Sequence, residues 1–166
     1  MLFKDEPITK ALINSIPQVG KVTWIGLRPD RQLPMEVVDE VEINTKDGLV
    51  GDRFSSETSS KRQVTLIQQE HLSVLESLIG HEVNPAVLRR NIVVKGINLL
   101  ALHNRKISIG DVVIEGTGFC YPCSKMEEAL GPGGYNIMRG HGGITAMVVK
   151  PGFIRKNDPV VLIGES

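Results

Sequence analysis

Residues 106–116 read KISIGDVVIEG, two runs of branched apolar residues that meet at a glycine-aspartate step. The runs 106–109 and 111–116 are rich in β-branched side chains, which favour extended strands. Gly110 between them tolerates the positive φ that a tight hairpin turn requires. The stretch therefore predicts two antiparallel strands joined by a hairpin.

Similar runs recur along most of the chain. Five more short segments are predicted to be strands for the same reason: 21–28 (KVTWIGLR), 37–44 (VVDEVEIN), 62–67 (RQVTLI), 91–95 (NIVVK) and 144–150 (ITAMVVK). Asp47-Gly48 and Glu115-Gly116 have the composition of further turns. Many short strands at modest spacing predict one closed or nearly closed barrel, mostly antiparallel.

A few short helices are expected between the strands. The clearest covers 68–79, because apolar residues fall on one face at helical spacing and Gly80 follows as a natural stop. The residues of that face are Leu72, Leu75, Leu78 and Ile79. Shorter helices are predicted over 84–89, where an N-cap asparagine precedes a proline, and over 124–130. The predicted fold class is mainly β with a few short helices.

The composition is that of an ordinary globular protein with a single core. A chain of 166 residues can bury one contiguous core, so we predict one domain over 19–166 and a peripheral lead-in over 1–18. The 19 basic residues balance the 19 acidic ones, which disfavours a general binder of nucleic acid or membrane surfaces. No stretch resembles a membrane helix or a signal peptide, so a cytoplasmic location is expected.

The chain has two cysteines, Cys120 and Cys123, in the segment TGFCYPCSKMEEALG. They are too few and too close for the disulfide framework of a small secreted domain. Cys123 follows a proline and precedes a predicted helix, so its sulfur is expected near a helix N-terminus, where the dipole and free N–H groups favour thiolate. Because a thiolate attacks sulfur electrophiles and binds soft metals, Cys123 is the leading candidate for chemistry.

Three other interpretations of the cysteines stay open. Both could be small buried apolar residues, as free cysteines often are. The Cys-x-x-Cys spacing also occurs in thioredoxin-like redox sites, but near the start of a βαβ unit rather than after a series of strands. A structural zinc site needs four ligands, and the histidines show no paired spacing; they are His71, His81, His103 and His141.

Three segments place a basic residue at the edge of a predicted strand. They are Gly51-Asp52-Arg53, Lys61-Arg62-Gln63 and Arg89-Arg90-Asn91. A guanidinium binds carboxylate or phosphate oxygens through two parallel hydrogen bonds, so arginines that converge on one cleft would form a strong oxyanion site. Taken singly, an arginine is more often a solvated surface charge or the partner of a nearby acid.

Two glycine-rich segments are expected to be loops. Gly133-Gly134 lies within GPGGYN, and Gly142-Gly143 follows Arg139 and His141. Such glycines either expose backbone N–H groups as an anion nest or simply form turns. His141 is a candidate to donate to an oxyanion or to shuttle a proton near neutral pH.

Taken in order, seven segments resemble the MOSC domain, found at the C-terminus of molybdenum-cofactor sulfurases and as stand-alone bacterial proteins. They are GLVGDR (48–53), RQVTLI (62–67), RRNIVVKGINLLAL (89–102), IGDVVIE (109–115), CYPCSKM (120–126), MRGHGGITAMVV (138–149) and NDPVVL (157–162). The resemblance spans about residues 20 to 163, and the succession of segments is far more specific than any one of them. It implies a MOSC-type β-barrel with one functional cysteine and a pocket for the anionic, pterin-based molybdenum cofactor, molybdopterin.

By this resemblance Cys123 matches the functional cysteine, as a molybdenum ligand or as a persulfide carrier, and Cys120 is a possible resolving thiol. The positions that match the family's motif segments as pocket-lining candidates are Arg53, Arg62, Arg89, Arg90, Asn91 and Arg139. The implied function is cofactor binding, sulfur carrying or both, with a cysteine desulfurase as partner. The alternatives are a small molybdenum-dependent reductase of N-hydroxylated compounds, with an electron-transfer partner, and a non-catalytic anion-binding module.

Overall fold

The computed structural model describes residues 7–54 and 60–165, which form eleven strands and several short helices. The strands are β1 (Gly20–Leu27), β2 (Glu36–Val38), β3 (Glu40–Asn44), β4 (Gly48–Leu49), β5 (Val64–Gln68), β6 (Ile92–Lys95), β7 (Arg105–Ile109), β8 (Val112–Phe119), β9 (Ile144–Lys150), β10 (Gly152–Arg155) and β11 (Pro159–Glu165). The α-helices are α1 (Pro7–Asn14), α2 (Gln69–Ile79), α3 (Pro85–Leu88), α4 (Ser124–Leu130) and α5 (Gly134–Met138). Single 3₁₀ turns cover Ser60–Arg62 and Leu99–Leu102.

Seven of these strands close into a barrel in the order β11-β7-β8-β9-β5-β6-β1. The closure is the antiparallel pairing of β1 with β11, in which Gly20 lies opposite Val160. The pairs within the barrel are antiparallel except β5 with β6, which run parallel because α2 and α3 carry the chain from one to the other. The predicted mainly antiparallel barrel with short helices is confirmed.

The hairpin predicted over 106–116 is confirmed as β7 and β8, with Ile109 opposite Val112 across the turn at Gly110. The single strand predicted over 37–44 is wrong. It divides at Asp39 into β2, which pairs with β1 at the edge of the barrel sheet, and β3, which belongs to a separate sheet in the order β10-β3-β4.

Buried aliphatic side chains fill the interior of the barrel, and most come from alternate strand positions. In β8, Val112 and Ile114 point inward and are fully buried, whereas Val113 and Glu115 are only partly buried. Strand β5 departs from this alternation, since Val64 to Ile67 are all buried. A strand covered on both faces reads as a continuous apolar run, and α2 supplies the outer cover.

A second apolar cluster lies where the helices pack against the outer face of β5 and β6. It joins Leu72 and Leu75 of α2 to Met126 of α4 and Met138 of α5. Leu78, predicted to share that buried face, is instead 58% exposed. Gly80 ends α2 at a φ of +87°, as predicted, and Asn84 caps α3 by accepting a hydrogen bond from Ala86 N.

Two turn predictions are wrong for reasons of packing. Glu115-Gly116 lies inside β8 and not at a turn. A Cβ on Gly116 would overlap the carbonyl oxygen of Leu102, so glycine is needed here to let the two backbone segments approach closely. The GPGGYN segment is not a loop throughout, since α5 begins at Gly134, which is buried against α4. In the predicted lead-in, α1 buries none of its side chains.

Candidate functional site

The described residues enclose a cavity of about 960 Å³, here called the arginine cavity. Its wall combines the end of β1, the segment after β4, the start of β5, and helices α3 and α4. Six arginines line it: Arg28, Arg31, Arg53, Arg62, Arg89 and Arg90. Lys125 adds a seventh cation, and Glu128 is the one acid among the described lining residues, so this lining is strongly electropositive.

Both cysteines line this cavity, but in different surroundings. Cys123 is exposed and occupies the N-cap position of α4, where its carbonyl accepts a hydrogen bond from Met126 N at 2.9 Å. Cys120, at the end of β8, is 6% exposed. The pair follows an antiparallel strand and not the first strand of a βαβ unit, which removes the thioredoxin-like interpretation. Cys123 is thus the accessible sulfur of the cavity.

The thiol of Cys120 is held in its neutral form. Burial raises the pKa of Cys120, and the opposing effect of the positive charges on Arg90, Arg62 and Arg28 does not cancel it. Arg90 also hydrogen-bonds to this sulfur. A buried neutral thiol is a poor nucleophile, which leaves the exposed Cys123 as the candidate nucleophile of the cavity.

The guanidinium groups of Arg89 and Arg90 also hold the cavity wall together. Arg89, at a φ of +57°, donates from Nη1 to the carbonyl of Leu33 at 2.9 Å and from Nη2 to that of Asp30 at 2.7 Å. Arg90 donates from Nε to the carbonyl of Gly142 at 2.9 Å. Carbonyl acceptors do not neutralise a cation, so both arginines keep their positive charge beside the cavity.

Arg28 forms the one ion pair described in the cavity wall. Its Nη2 lies 2.8 Å from Oδ2 of Asp52, and its Nε donates to Oδ1 at 3.1 Å. Burial by itself would raise the pKa of Asp52, but the hydrogen bonds and charge of Arg28, together with a hydrogen bond from Asn91, hold it below its ordinary value.

Asn91 does not line the cavity; it is fully buried beneath it. Its Nδ2 donates to the carbonyl of Gly26 and to Oδ1 of Asp52, each at 3.1 Å, and its Oδ1 accepts from Thr65 Oγ1 at 3.0 Å. Asn91 therefore connects three parts of the chain: strand β1, strand β5 and the segment that follows β4. It positions the ion pair of Arg28 rather than touching a ligand.

We expect Asp52→Asn to lower the free energy of unfolding by about 2–3 kcal/mol at pH 7, because it leaves Arg28 without its charged partner. A carboxylate with a depressed pKa contributes stability above its unfolded pKa of about 3.9, and this contribution is lost as pH falls through the folded pKa. Urea unfolding should therefore show a smaller gap between variant and wild type at pH 3.

The matched control is Glu40→Gln, which breaks the exposed pair of Glu40 with Arg155 and should cost under about 1 kcal/mol. An Asp52→Asn penalty that is the same at both pH values would contradict the charge argument.

Arg53 and Arg62 have exposed side chains for which the described residues show no ion pair. Partial burial lowers the pKa of Arg53, and so do the positive charges of Arg28, Arg31 and Arg89, with Asp52 opposing. Such mutual repulsion means that a bound anion would stabilise the cluster. The guanidinium groups of these two arginines, like that of the exposed Arg31, therefore have donors available to an anionic ligand.

The structure brings six of the nine predicted site residues together and leaves three outside, Asn91 beneath the cavity and two others away from it. Cys120, Cys123, Arg53, Arg62, Arg89 and Arg90 share the arginine cavity. Arg139 and His141 do not line it. His141 instead packs edge-on against His71 with ring centroids 5.1 Å apart, and its Nδ1 lies 2.8 Å from the carbonyl of Ile137. The pKa of His71 is lowered by burial and by His141.

Sequence reasoning missed Arg28, Arg31 and Gln32 of the cavity wall. Arg28 stands at the end of a predicted strand, which is the signal that singled out the other three arginine segments. Over residues 7–54 and 60–165, no group of three or more His, Cys, Asp or Glu side chains is arranged to hold a metal ion by itself. In the same ranges the helices are all too short or too polar to cross a bilayer.

Comparison with solved structures gives the same architecture. YuaD protein from Bacillus subtilis matches with a TM-score of 0.75 and 18% identity, over 87% of this chain and 96% of that one. YiiM from Geobacillus stearothermophilus matches with a TM-score of 0.72 and 15% identity, over 87% and 75%. YiiM from Escherichia coli matches with a TM-score of 0.68 and 18% identity, over 88% and 71%. At these identities the likeness shows the fold alone.

Sequence comparison identifies the family. A search of curated protein sequences gave no match. The sequence profile of the MOSC domain matches residues 46–161, well over half of the 166-residue chain. This range includes both cysteines and four of the six cavity arginines. The chain therefore belongs to the MOSC domain family.

Proposed function

We propose that the arginine cavity binds the anionic, pterin-based molybdenum cofactor, with the sulfur of Cys123 as the protein's ligand to the metal. The observation that supports this most directly is that, among the described residues, an exposed cysteine shares one cavity with six arginines and a single acid. Soft metals select thiolate ligands, and guanidinium groups bind phosphate oxygens in pairs of hydrogen bonds. The cavity thus offers a sulfur ligand for the metal and guanidinium groups for the phosphate of the cofactor.

Each part of the wall has its own task in this proposal. Arg53 and Arg62 bind the phosphate oxygens, because their exposed guanidinium groups have no described ion-pair partner, and Arg31 shares this property as a further donor. Arg89 and Arg90 add positive charge while their hydrogen bonds keep the wall rigid. Asp52 orients Arg28. When bound, the cofactor would supply redox chemistry that side chains lack, with electrons from a separate partner protein.

A sulfur-carrying role uses the same cysteine and is the second candidate, because Cys123 is the accessible sulfur and Cys120 is not. The thiolate of Cys123 would attack the outer sulfur of a persulfide on a cysteine desulfurase. An S–S bond forms at Cys123, the donor's S–S bond breaks, and the donor cysteine leaves as thiolate. In either role we place the protein and its partner in the cytoplasm.

The experiment compares the protein purified from a host that makes the cofactor with the variant Arg53→Ala/Arg62→Ala. Elemental analysis should find molybdenum in the wild type, and oxidative release should give a fluorescent pterin in equal amount. We expect the double variant to retain less than about a tenth of both, since each lost charge-assisted contact is worth about 1.5–3 kcal/mol. Arg139→Ala removes an arginine outside the cavity and should retain both.

Several results would count against cofactor binding. Molybdenum absent from the wild type, or a double variant that retains as much as Arg139→Ala, would each do so. If molybdenum is absent but incubation with a cysteine desulfurase adds about 32 daltons to Cys123, roughly one sulfur atom, the carrier role is supported instead. If neither is seen and phosphate still binds, the protein is an anion-binding module.

A further inference from the structure

A second, smaller pocket of about 250 Å³ opens beside the arginine cavity and is here called the aromatic pocket. Its lining residues are Leu100, Phe119, Cys120, Tyr121, Pro122, Gly140, Gly142 and Gly143. Phe119, Cys120 and Tyr121 line both spaces, so the two are neighbours. Within the described part of the chain, the lining of the aromatic pocket contains no acid, lysine or arginine, in contrast to the adjoining cavity.

Aromatic rings lie exposed at the border between the two spaces. Tyr121 is 77% and Phe119 36% exposed, although the whole chain has only seven Phe, Tyr and Trp residues. The ring of His103 lies 4.7 Å from that of Phe119 at a tilt of 31°, and Tyr121 meets Phe119 edge-on at 6.4 Å. Small-molecule sites are typically concave and lined mainly by apolar and aromatic side chains, as this pocket is.

We propose that the aromatic pocket binds the planar, uncharged aromatic ring of a substrate whose reactive end reaches the arginine cavity. The inference rests on the proposed function, because it assumes that the reaction takes place in the arginine cavity, beside Cys123. Aromatic side chains favour planar guests by offset or edge-to-face stacking, and Phe119 and Tyr121 offer two such surfaces. Leu100 and Pro122 add aliphatic contact. The aromatic pocket thus binds the ring of the substrate, while the reactive end lies in the arginine cavity.

The pterin ring of the cofactor is a poor occupant of this pocket. Its edge carries several hydrogen-bond donors and acceptors, and burying them without partners would cost about 1–3 kcal/mol each. The aromatic pocket offers few polar atoms, since its side chains are mainly apolar. We therefore assign the ring site to the substrate and the anion site to the cofactor.

The test titrates benzimidazole, a neutral planar probe, into the purified protein and follows backbone amide chemical shifts by NMR. Shifts should centre on Gly140, Gly142 and Gly143. Tyr121→Ala should weaken binding at least fivefold, and Leu100→Trp, which fills the pocket, should do the same. Tyr135→Ala is the matched control, because Tyr135 is the chain's other tyrosine, is also exposed and lies on α5 outside the pocket.

Cyclohexanol, a ring without π electrons, should bind at least fivefold more weakly than benzimidazole. The inference is overturned if the shifts map elsewhere, if Tyr121→Ala binds like Tyr135→Ala, or if loading the protein with the cofactor abolishes probe binding. The probe needs no metal, so a protein without molybdenum that binds benzimidazole refutes the proposed function alone. A protein that retains molybdenum but ignores the probe refutes the aromatic pocket alone.

Discussion

Cys123→Ser is expected to lose at least nine tenths of the molybdenum that the wild-type protein retains. The substitution keeps the size of the side chain and its exposed position at the start of α4, but it replaces a soft sulfur with an oxygen. Thiolate suits soft metals, whereas a serine hydroxyl stays protonated near neutral pH and is a weak ligand. Elemental analysis of variant and wild type, purified side by side, gives the ratio.

Cys120→Ser is the comparison that isolates the role of position. Cys120 is buried, its pKa is raised and Arg90 already hydrogen-bonds to its sulfur, so it is not expected to bind metal. This variant should keep most of the molybdenum. The assignment of Cys123 as the ligand fails if the two variants lose the metal equally, or if Cys123→Ser retains a wild-type amount.

Gly143→Ala is expected to cost about 3 kcal/mol or more in the free energy of unfolding. Gly143 has a φ of +87°, which costs an alanine roughly 1–2 kcal/mol. An added Cβ would also overlap the carbonyl oxygen of Leu66 and crowd the backbone of Ile67, both in β5. Overpacking against a barrel strand costs about 1–3 kcal/mol more. Chemical denaturation measures the sum.

Gly140→Ala separates these two costs. Gly140 has nearly the same φ, +81°, but a Cβ there meets no atom within 4 Å, so only the backbone cost of roughly 1–2 kcal/mol is expected. Because the amide of Cys120 donates to the carbonyl of Gly143 at 2.9 Å, Gly143→Ala should also lower molybdenum retention. Equal stability losses in the two variants would show that close packing against β5 is not what requires a glycine here.

Local sequence predicted the elements whose partners are adjacent in the chain. The 106–116 hairpin follows from β-branched runs around Gly110 and needs no distant information. The division of 37–44 at Asp39 could not be predicted in this way. The first half pairs with β1 and the second half with β10, and these two strands lie in different parts of the sequence. The turn predicted at Gly116 is wrong for the same reason. Glycine is required there by close contact with the backbone of Leu102, which lies outside the hairpin in the sequence.

The site was predictable to a similar degree. The resemblance and the strand-edge arginines pointed to Cys123, Arg53 and Arg62, and the structure places all three in one cavity. Their convergence is a property of the barrel that no single segment carries. The resemblance also predicts Asn91 as a pocket-lining residue, yet Asn91 is buried beneath the cavity and positions Asp52.

Anomalous diffraction at the molybdenum edge, from crystals of protein purified with its cofactor, tests the central proposal most directly. We expect one anomalous peak inside the arginine cavity, next to the sulfur of Cys123, with density for the phosphate group reaching Arg53 and Arg62. A peak outside that cavity, or a metal-loaded protein with no peak near Cys123, would contradict the proposal.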